Sequence, residues 1–297
     1  MTGRSALIVG ANGGMGMAVT RQFLASGLSV SALVSRPEAV EAFVDAFPAC
    51  AQVVALDLAE ADTVKARLAS LAAELPRLDV VVVCAAVAPF APAETTDFAV
   101  FRRTMEINCL SNLAIYQACL PALRLTRGRI ILTSSWSGKV ATPMMASYVA
   151  SKFALEGLAD VLRQEAQAWG VDVVLIQPGA LDTQMMRRSQ AILAETIASL
   201  STEEATHYGL LYRQMKYRAD EGIANANYSS PDRVAQAVLE ALEADRPAPR
   251  YPLGDDTEFM FDLARNHSDR EVDDFILSLY RSAPVNQDGQ FASGETA

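Results

Sequence analysis

Six short apolar runs recur along the first 180 residues of the chain. They are nearly continuous in Val, Ile and Leu and lie at 6–10, 29–34, 52–56, 79–85, 128–134 and 171–177. Continuous runs indicate strands that are covered on both faces, whereas alternating runs expose one face to water. Helical patterns separate them, at 14–26, 37–47, 60–75, 97–124 and 147–169. This order predicts an α/β fold: a doubly wound, Rossmann-like, mainly parallel sheet with helices on both faces and a ligand at the carboxyl ends of the strands.

The pattern changes after residue 179. Residues 183–228 are helical in pattern and contain no strand, which predicts a helical lid over a substrate site. A helix is expected at 230–245, where Ser230 can cap the first turn. A proline-containing edge strand at 249–254 and short helices at 256–265 and 269–281 follow. We expect one dinucleotide-binding catalytic domain over 1–282, with 230–282 as its C-terminal part, and a disordered tail at 283–297.

Composition narrows the class of protein. The 297 residues carry a formal net charge of −10 and include no long basic run, which argues against nucleic acid as a partner. No apolar run is long enough for a membrane span, and the first residues lack the apolar stretch of a signal peptide. The cysteines at 50, 84, 109 and 119 show no metal-binding spacing. We therefore expect a soluble cytoplasmic protein with reduced thiols.

A glycine-rich turn joins the first strand to the first helix. Gly10, Gly14 and Gly16 form a G-x-x-x-G-x-G pattern, which differs from the G-x-G-x-x-G dinucleotide fingerprint. Glycines permit a tight turn, and the free N–H groups at a helix N-terminus attract a pyrophosphate. Helix packing is the alternative explanation for such glycines.

The end of the second strand bears on the choice of coenzyme. Enzymes that bind NAD usually place an Asp or Glu there for the ribose 2′-hydroxyl, whereas this chain has Ser35 and Arg36. A guanidinium suits a 2′-phosphate, so the sequence favours NADP; NAD stays open because Arg36 could equally be a solvated residue at a helix start. Asp57 could accept a hydrogen bond from the adenine amino group, or cap a helix that begins near Ala59.

A tyrosine and a lysine lie four residues apart in a predicted helix. Tyr148 and Lys152 therefore share a helix face, which brings the ammonium near the phenol. A free tyrosine has a pKa near 10 and transfers protons poorly at neutral pH. A nearby positive charge favours the phenolate, and a general acid or base works best when its pKa is near the operating pH. The spacing predicts that Lys152 lowers the pKa of Tyr148 and makes it a proton donor and acceptor.

This Y-x-x-x-K pair, with Ser135 thirteen residues upstream, resembles the active site of the short-chain dehydrogenase/reductase family. The glycine turn matches as well. The segment EINCLSN resembles the one that supplies the family's active-site asparagine, here Asn108, and QPGALDT resembles its P-G-x-x-x-T element at Pro178, Gly179 and Thr183. The resemblance covers roughly residues 5 to 183.

The resemblance implies a role for each matching residue. Tyr148 would exchange a proton with the substrate oxygen, Ser135 would hydrogen-bond that oxygen, and Lys152 would bind the nicotinamide ribose. Asn108 would hold a relay water through its backbone carbonyl, and Thr183 would bind the carboxamide or a phosphate. Hydride passes directly between nicotinamide and substrate, so no metal is expected. The remaining expected coenzyme contacts are Asn12, Met15, Leu58, Ala85 and Ala86.

Two features complicate the match. Ser134 competes with Ser135 for the catalytic role, but adjacent strand residues face opposite sides and the spacing to Tyr148 favours Ser135. The family commonly has N-N-A-G after the fourth strand, whereas this chain has residues 83–86 as VCAA. The change replaces a bracing amide with a small apolar side chain and adds a methyl group at Ala86, close to the coenzyme.

The substrate site is expected beyond Thr183 and on the loop before Tyr148. The expected substrate contacts, besides Ser135 and Tyr148, are Trp136, Met145, Met185, Met186 and His207. Met215 and neighbouring apolar residues of the lid could line the pocket or pack as ordinary core. The C-terminal layout is similar to the 17β-hydroxysteroid and retinol dehydrogenase branch, which suggests a bulky apolar secondary alcohol or its ketone.

Two alternatives stay open at this stage. One is a carrier-bound β-ketoacyl reductase, for which the basic candidates are Arg187, Arg188, Arg102 and Arg103, and the other is a non-catalytic nucleotide-sensing protein.

Relatives pair the helices at 97–124 and 147–169 across a two-fold axis, so a homodimer or homotetramer is expected.

Overall fold

The computed structural model of this chain describes residues 3–181, 183–224 and 229–282. The expected disordered tail at 283–297 lies outside the described residues. None of the helices in those ranges combines the length and the apolar character that crossing a lipid bilayer would need.

The described residues form a seven-stranded parallel sheet, and this confirms the predicted doubly wound fold. The strand order is β3-β2-β1-β4-β5-β6-β7. Strands β1 to β3 are added toward one edge of the sheet, and strands β4 to β7 are added on the other side of β1. β7 pairs with β6 at one edge of the sheet, where its proline is tolerated. The strands are β1 (Ser5–Val9), β2 (Ser29–Val34), β3 (Gln52–Ala55), β4 (Val80–Val83), β5 (Arg129–Thr133), β6 (Asp172–Pro178) and β7 (Arg250–Leu253).

Helices cover both faces of the sheet, as the continuous apolar runs predict. The helices are α1 (Gly14–Ala25), α2 (Glu38–Ala46), α3 (Ala61–Glu74), α4 (Phe98–Met105), α5 (Ser111–Thr126), α6 (Ala146–Ala166), α7 (Gln184–Ser199), α8 (Thr202–Ala224), α9 (Pro231–Glu243), α10 (Asp255–Asn266) and α11 (Asp269–Arg281). Alternate strand residues enter different cores: Leu7 packs with α3, α5 and α6, whereas Ile8 packs with α1, α2 and α9.

A third, smaller core lies away from the sheet. It joins α7, α8 and α11 to the loop between β5 and α6, and its buried members are Val140, Met144, Leu193, Tyr212, Met215, Ile276 and Tyr280. The predicted lid is therefore helical, and part of it packs as a core of its own, as the packing alternative for the lid residues anticipated.

The helix predicted at 97–124 is interrupted. A π-helical turn at Glu106–Leu110 separates α4 from α5, and α5 continues to Thr126 before Arg127 ends it in a left-handed conformation. A π turn holds one more residue than an α turn, so it shifts the side chains that follow it. Glu106 at its start accepts a hydrogen bond from the Ala61 backbone N–H (2.7 Å) and so caps the neighbouring helix α3.

Candidate active site

A cavity of about 490 Å³ opens at the carboxyl ends of β4, β5 and β6. Its floor includes Ala86, Ser135 and Pro178, and its side walls include Tyr148 and Lys152 of α6. Helices α7, α8, α10 and α11 close the opposite side, mostly with apolar side chains. The position agrees with the rule that ligands of open parallel sheets bind at the carboxyl ends of the strands.

Ser135 and Tyr148 both lie on the cavity wall, and the Ser135 hydroxyl is close enough to the phenol to affect the pKa of Tyr148. Ser135 follows the end of β5 in an extended conformation, and its hydroxyl also accepts a bond from the Ser137 N–H (3.2 Å). Tyr148 lies in the first turn of α6. It is half-buried and borders the cavity. Burial raises the pKa of Tyr148, and the Ser135 side chain opposes that rise.

Lys152 lies one helical turn beyond Tyr148 and is 1% exposed. Its ammonium donates to the Thr133 carbonyl (2.8 Å) and lies 5.6 Å from the centre of the Tyr148 ring. Burial lowers the pKa of Lys152 to about 8, while Glu156 and Cys109 act in the opposite direction. The expected lowering of the Tyr148 pKa by Lys152 is therefore not what the structure shows, because burial has the larger effect on the phenol.

Asn108 lies in the π turn and is fully buried. Its side chain makes a pair of bonds with the backbone of Val87, accepting from the N–H (2.9 Å) and donating to the carbonyl (2.8 Å). It also donates to Ser151 Oγ (3.0 Å), which ties it to the helix of Tyr148 and Lys152. The Asn108 carbonyl accepts a bond from the Asn112 side-chain amide (3.0 Å).

Ser134 takes a different position from Ser135, although both border the cavity. The Ser134 N–H donates to the Ile176 carbonyl (2.8 Å) as part of the sheet. Its hydroxyl is buried and has no hydrogen-bond partner within the described residues. Since the side chain of Ser135, and not that of Ser134, acts on the pKa of Tyr148, the arrangement favours Ser135 for the catalytic role.

The glycine turn packs tightly against the ends of neighbouring strands. Gly10 has a φ of +76°, and a Cβ there would lie 2.8 Å from Ala85; at Gly16 a Cβ would overlap the backbone of the turn itself. Gly14, at the start of α1, lies against Thr183, which caps α7 through Met186 N–H (3.3 Å). These contacts bring Gly14, Ala85 and Thr183 together around the expected path of the coenzyme. Met15 borders the cavity.

Asn12 of the glycine turn is hydrogen-bonded to Ser35 at the end of β2. Its side-chain oxygen accepts from the Ser35 N–H, and its amide donates to the Ser35 hydroxyl, each at 3.2 Å. Arg36 follows, exposed to solvent. The two polar side chains and the guanidinium thus lie at the place expected for the adenosine ribose.

Asp57 and Leu58 follow β3. Asp57 accepts a bond from the Ala59 N–H (3.0 Å), which closes a turn, and its carboxylate lies 3.7 Å from Arg103. The alternative that Asp57 caps a helix near Ala59 is wrong, because α3 begins at Ala61 and Glu106 caps it. The Leu58 side chain is buried in the core, so any contact with a coenzyme would be through its backbone.

The structure separates the expected substrate residues. Trp136, Met145 and Met186 border the cavity beside Ser135 and Tyr148. His207 is exposed near the start of α8 and does not border the cavity, which corrects the expectation that it contacts substrate. The part of α8 that reaches the cavity begins two turns later, at Met215. The Met185 side chain lies outside the described residues.

Several cavity residues come from the C-terminal part and were not expected from the sequence. They are Asp256, Met260, Ile276, Leu279 and Tyr280. The only sequence signal for them is the apolar stripe of the helix predicted at 269–281, which shows that the helix packs but not against what.

A sequence profile of the short chain dehydrogenase family matches residues 4–193. The chain belongs to the short-chain dehydrogenase family. It is therefore an NAD(P)-dependent oxidoreductase that acts on CH–OH groups.

Relatives of this short-chain dehydrogenase span different substrates. It is 28% identical to an NADPH-dependent 3-dehydrocapnine reductase of Ornithobacterium rhinotracheale, over 84% of this chain and 87% of the relative. It is 31% identical to 11-beta-hydroxysteroid dehydrogenase type 2 of Oryctolagus cuniculus, over 84% of this chain and 64% of the relative. The latter match accords with the steroid and retinol branch that the C-terminal layout suggests.

Solved structures agree in fold. A short-chain dehydrogenase of Streptomyces avermitilis has a TM-score of 0.72 and 23% identity, covering 94% of this chain and 96% of its own. Another from Burkholderia cenocepacia J2315, solved in complex with NADP, has a TM-score of 0.66 and 24% identity, covering 93% and 97%.

Residues 83–86 of this short-chain dehydrogenase lack the asparagine that commonly follows β4 in the family, and apolar packing occupies that position instead. Cys84 is buried among apolar side chains, and burial raises its pKa to about 12, so the thiol stays protonated. Ala86 borders the cavity. Thr133 on β5 donates to the Val83 carbonyl (2.7 Å), so a side-chain bond still joins the two strand ends.

Proposed function

We propose that this enzyme interconverts a bulky apolar secondary alcohol and its ketone, with NADP as the coenzyme and Tyr148 as the general acid and base. The observation that carries the proposal is that Ser135, Tyr148 and Lys152 together border one large, mostly apolar cavity. A proton donor at such a wall suits a substrate whose only reacting polar atom is one oxygen.

The bound nicotinamide supplies or accepts the hydride. Ser135 donates a hydrogen bond to the substrate oxygen and steadies the charge that develops on it. Tyr148 gives its proton to that oxygen during ketone reduction and takes the hydroxyl proton during alcohol oxidation. Lys152 holds the nicotinamide ribose and, with a pKa near 8, can return a proton toward Tyr148. Asn108, fixed between Val87 and Ser151, offers its carbonyl to the water that links Lys152 to solvent.

The residues of the glycine turn fit a dinucleotide phosphate. The N-terminus of α1 faces the junction of Gly14 with Thr183, where its free N–H groups suit a pyrophosphate. The hydrogen-bonded Asn12 and Ser35 would meet the ribose, and the exposed Arg36 would pair with a 2′-phosphate. The NADPH-dependent relative and the NADP complex support the same choice.

The lining of the cavity supports a bulky apolar substrate. Methionine side chains from three parts of the chain, Met145, Met186 and Met215, border it together with Phe90 and Trp136. Methionine adapts to irregular apolar shapes, which suits a large alicyclic or long-chain ketone. The steroid dehydrogenase relative is named for a substrate of that kind.

The basic residues considered for a carrier-bound substrate do not border the cavity; they are Arg102, Arg103, Arg187 and Arg188. The presence of Ser135, Tyr148 and Lys152 together also argues against a nucleotide sensor that has lost catalysis.

Exposed apolar side chains on α4, α5 and α6 support a homodimer. They are Phe98, Val100, Leu125, Phe153 and Val161, with Leu110 in the π turn between α4 and α5. Phe153, Gly157 and Val161 follow one another at four-residue spacing on α6, and the space beside Gly157 is open. A second copy of the chain could cover this face by helix-to-helix packing.

A substrate panel tests the proposal. The purified protein is mixed with NADPH or NADH and a series of ketones of increasing apolar size, and oxidation of the coenzyme is followed by absorbance. We expect turnover with NADPH and bulky ketones, and slower turnover with NADH. Faster turnover with a carrier-linked β-ketoacyl thioester than with any free ketone would favour the carrier-bound alternative, and a preference for NADH would remove Arg36 from its proposed role.

A further inference from the structure

Asp256 brings a carboxylate from the C-terminal part of the chain to the turn that follows β6. It lies in the first turn of α10, and its Oδ2 accepts a hydrogen bond from the Ala180 N–H (3.0 Å). A Cβ on Gly179 would overlap both carboxylate oxygens, and a Cβ on Gly254 would lie 2.5 Å from Oδ1. Two glycines thus leave the space that this carboxylate occupies.

The same turn is held at two further points. The Gly179 N–H donates to the Leu253 carbonyl (3.0 Å), and the Ala180 carbonyl accepts from the Ser229 N–H (2.9 Å). Asp256 is the side chain among these contacts, and it also borders the cavity. Because Pro178, Gly179, Ala180 and Leu181 line the cavity, the shape of the turn sets the shape of the cavity wall.

We propose that Asp256 is a positioning residue that holds the 179–181 turn in the conformation that receives the nicotinamide half of the coenzyme. The inference rests on the proposed function, which places Gly179 and Thr183 at that half. A charged acceptor binds an N–H group more strongly than a neutral one, so Asp256 fixes the turn before the coenzyme arrives. Because this wall is already ordered before the coenzyme binds, binding costs less conformational entropy. Asp256 lies beyond residues 4–193, so the C-terminal part contributes to the coenzyme site.

The neighbouring Asp255 provides a matched control. Both residues lie in the first turn of α10, where an acid interacts favourably with the helix dipole. Asp255 is exposed, whereas Asp256 touches the turn. Loss of either acid therefore changes the net charge and the helix end alike, but only loss of Asp256 frees the Ala180 N–H.

The test compares whole coenzyme with its adenosine half. Calorimetric titrations with NADPH and with 2′,5′-ADP are made on the wild type, Asp256→Ala, Asp256→Asn and Asp255→Ala. We expect Asp256→Ala to weaken NADPH binding about tenfold and to change 2′,5′-ADP binding less than about twofold, because the lost bond acts only at the nicotinamide half. Asp256→Asn should recover part of the loss, since its amide oxygen can accept from Ala180, and Asp255→Ala should match the wild type.

Each other outcome has a distinct meaning. Unchanged NADPH binding in Asp256→Ala would overturn the inference, as would equal weakening of both ligands, which indicates a general structural role. Should Asp256→Ala prove insoluble, Asp256→Asn alone carries the comparison with an expected loss of about threefold for NADPH. A wild type that prefers NADH would contradict the proposed coenzyme but not this inference, which NADH and 5′-AMP then test in the same way. A wild type that binds neither coenzyme would overturn both.

Discussion

Tyr148 and Lys152 lie side by side within the protein, and burial drives both toward their uncharged forms. Burial raises the pKa of Tyr148 and lowers that of Lys152 to about 8. A neutral phenol is the form that a general acid needs for ketone reduction. The neutral phenol is therefore set for proton donation, and a coenzyme bound beside Lys152 would add its own charge to this balance.

Removal of the phenol hydroxyl tests the proton-transfer role. Tyr148→Phe should lower turnover by a factor of at least about one hundred, because the substitution removes the hydroxyl proposed to exchange the proton with the substrate oxygen. Calorimetry should show NADPH binding close to that of the wild type. Residual turnover above about one hundredth of the wild-type rate would contradict the role.

The two adjacent serines form a natural matched pair. Ser135→Ala removes the hydroxyl that acts on Tyr148 and should reduce kcat by about tenfold to a hundredfold, whereas Ser134→Ala removes a hydroxyl without a partner in the described part of the chain. Steady-state kinetics on both variants gives the comparison. A larger loss in Ser134→Ala than in Ser135→Ala would reverse the assignment.

The low pKa of Lys152 predicts a pH dependence of stability. The ammonium has a pKa of about 8 in the folded chain against an ordinary 10.5, so the unfolded chain binds more protons between these values. The free energy of unfolding of the wild type should therefore rise with pH across this window, by up to about 3 kcal/mol relative to Lys152→Met.

Urea unfolding at pH 7.5 and 10 measures the effect, with the exposed Lys65 of α3 mutated to Met as the control. Parallel pH curves for the wild type and Lys152→Met would show that the buried ammonium does not titrate in this range.

At the scale of elements, the π turn connects three parts of the site. It buries Asn108 against α6, and its first residue, Glu106, caps α3, the helix that follows Asp57 in the chain. π turns occur often at functional sites because they reorient one or two side chains within a helix. Here the turn fixes the asparagine and the neighbouring helix at once.

This cap can be tested by stability. Glu106→Ala should lower the free energy of unfolding by about 1 kcal/mol, the usual effect of losing a helix cap. Glu60→Ala is the matched control, because Glu60 occupies the N-cap position of α3 and its side chain makes no cap bond. Denaturant unfolding should show little change in the control; an equal loss in both variants would indicate a simple effect of charge.

The sequence predicted the elements well where one physical signal dominates. Buried parallel strands produce continuous apolar runs, and Ser230 and Pro231 mark the start of α9 as expected, with Ser230 accepting from the Arg233 N–H. The π turn escaped prediction because the residues of EINCL suit an α-helix equally well. Asp256 and Tyr280 escaped as site residues because their role depends on where α10 and α11 pack, which is a long-range property.

At the scale of the whole molecule, the exposed apolar side chains of α4, α5 and α6 have to meet either water or another chain. Monomers seldom expose large apolar patches, and on these helices Leu125 is 88% exposed and Phe98 is 73% exposed. A dimer formed through the exposed Phe153 and Val161 would contact the helix that carries Tyr148.

Light scattering tests the dimer. The wild type should have at least twice the mass of one chain, and Val161→Glu should reduce the assembly, because it puts a charge among the exposed apolar side chains of α6. Leu277→Glu on α11 is the control, an exposed apolar residue outside α4, α5 and α6. A wild type that runs as a single chain at micromolar concentration would contradict the dimer.

The small core under α7, α8 and α11 shares no residue with the strands of the sheet. Exchanges among Leu193, Met215 and Ile276 can therefore alter the outline of the cavity while the two sheet cores keep the scaffold folded. Such a division makes the enzyme evolvable: descendants can acquire new substrates through a few lid substitutions, and a directed library confined to these helices should yield many folded variants.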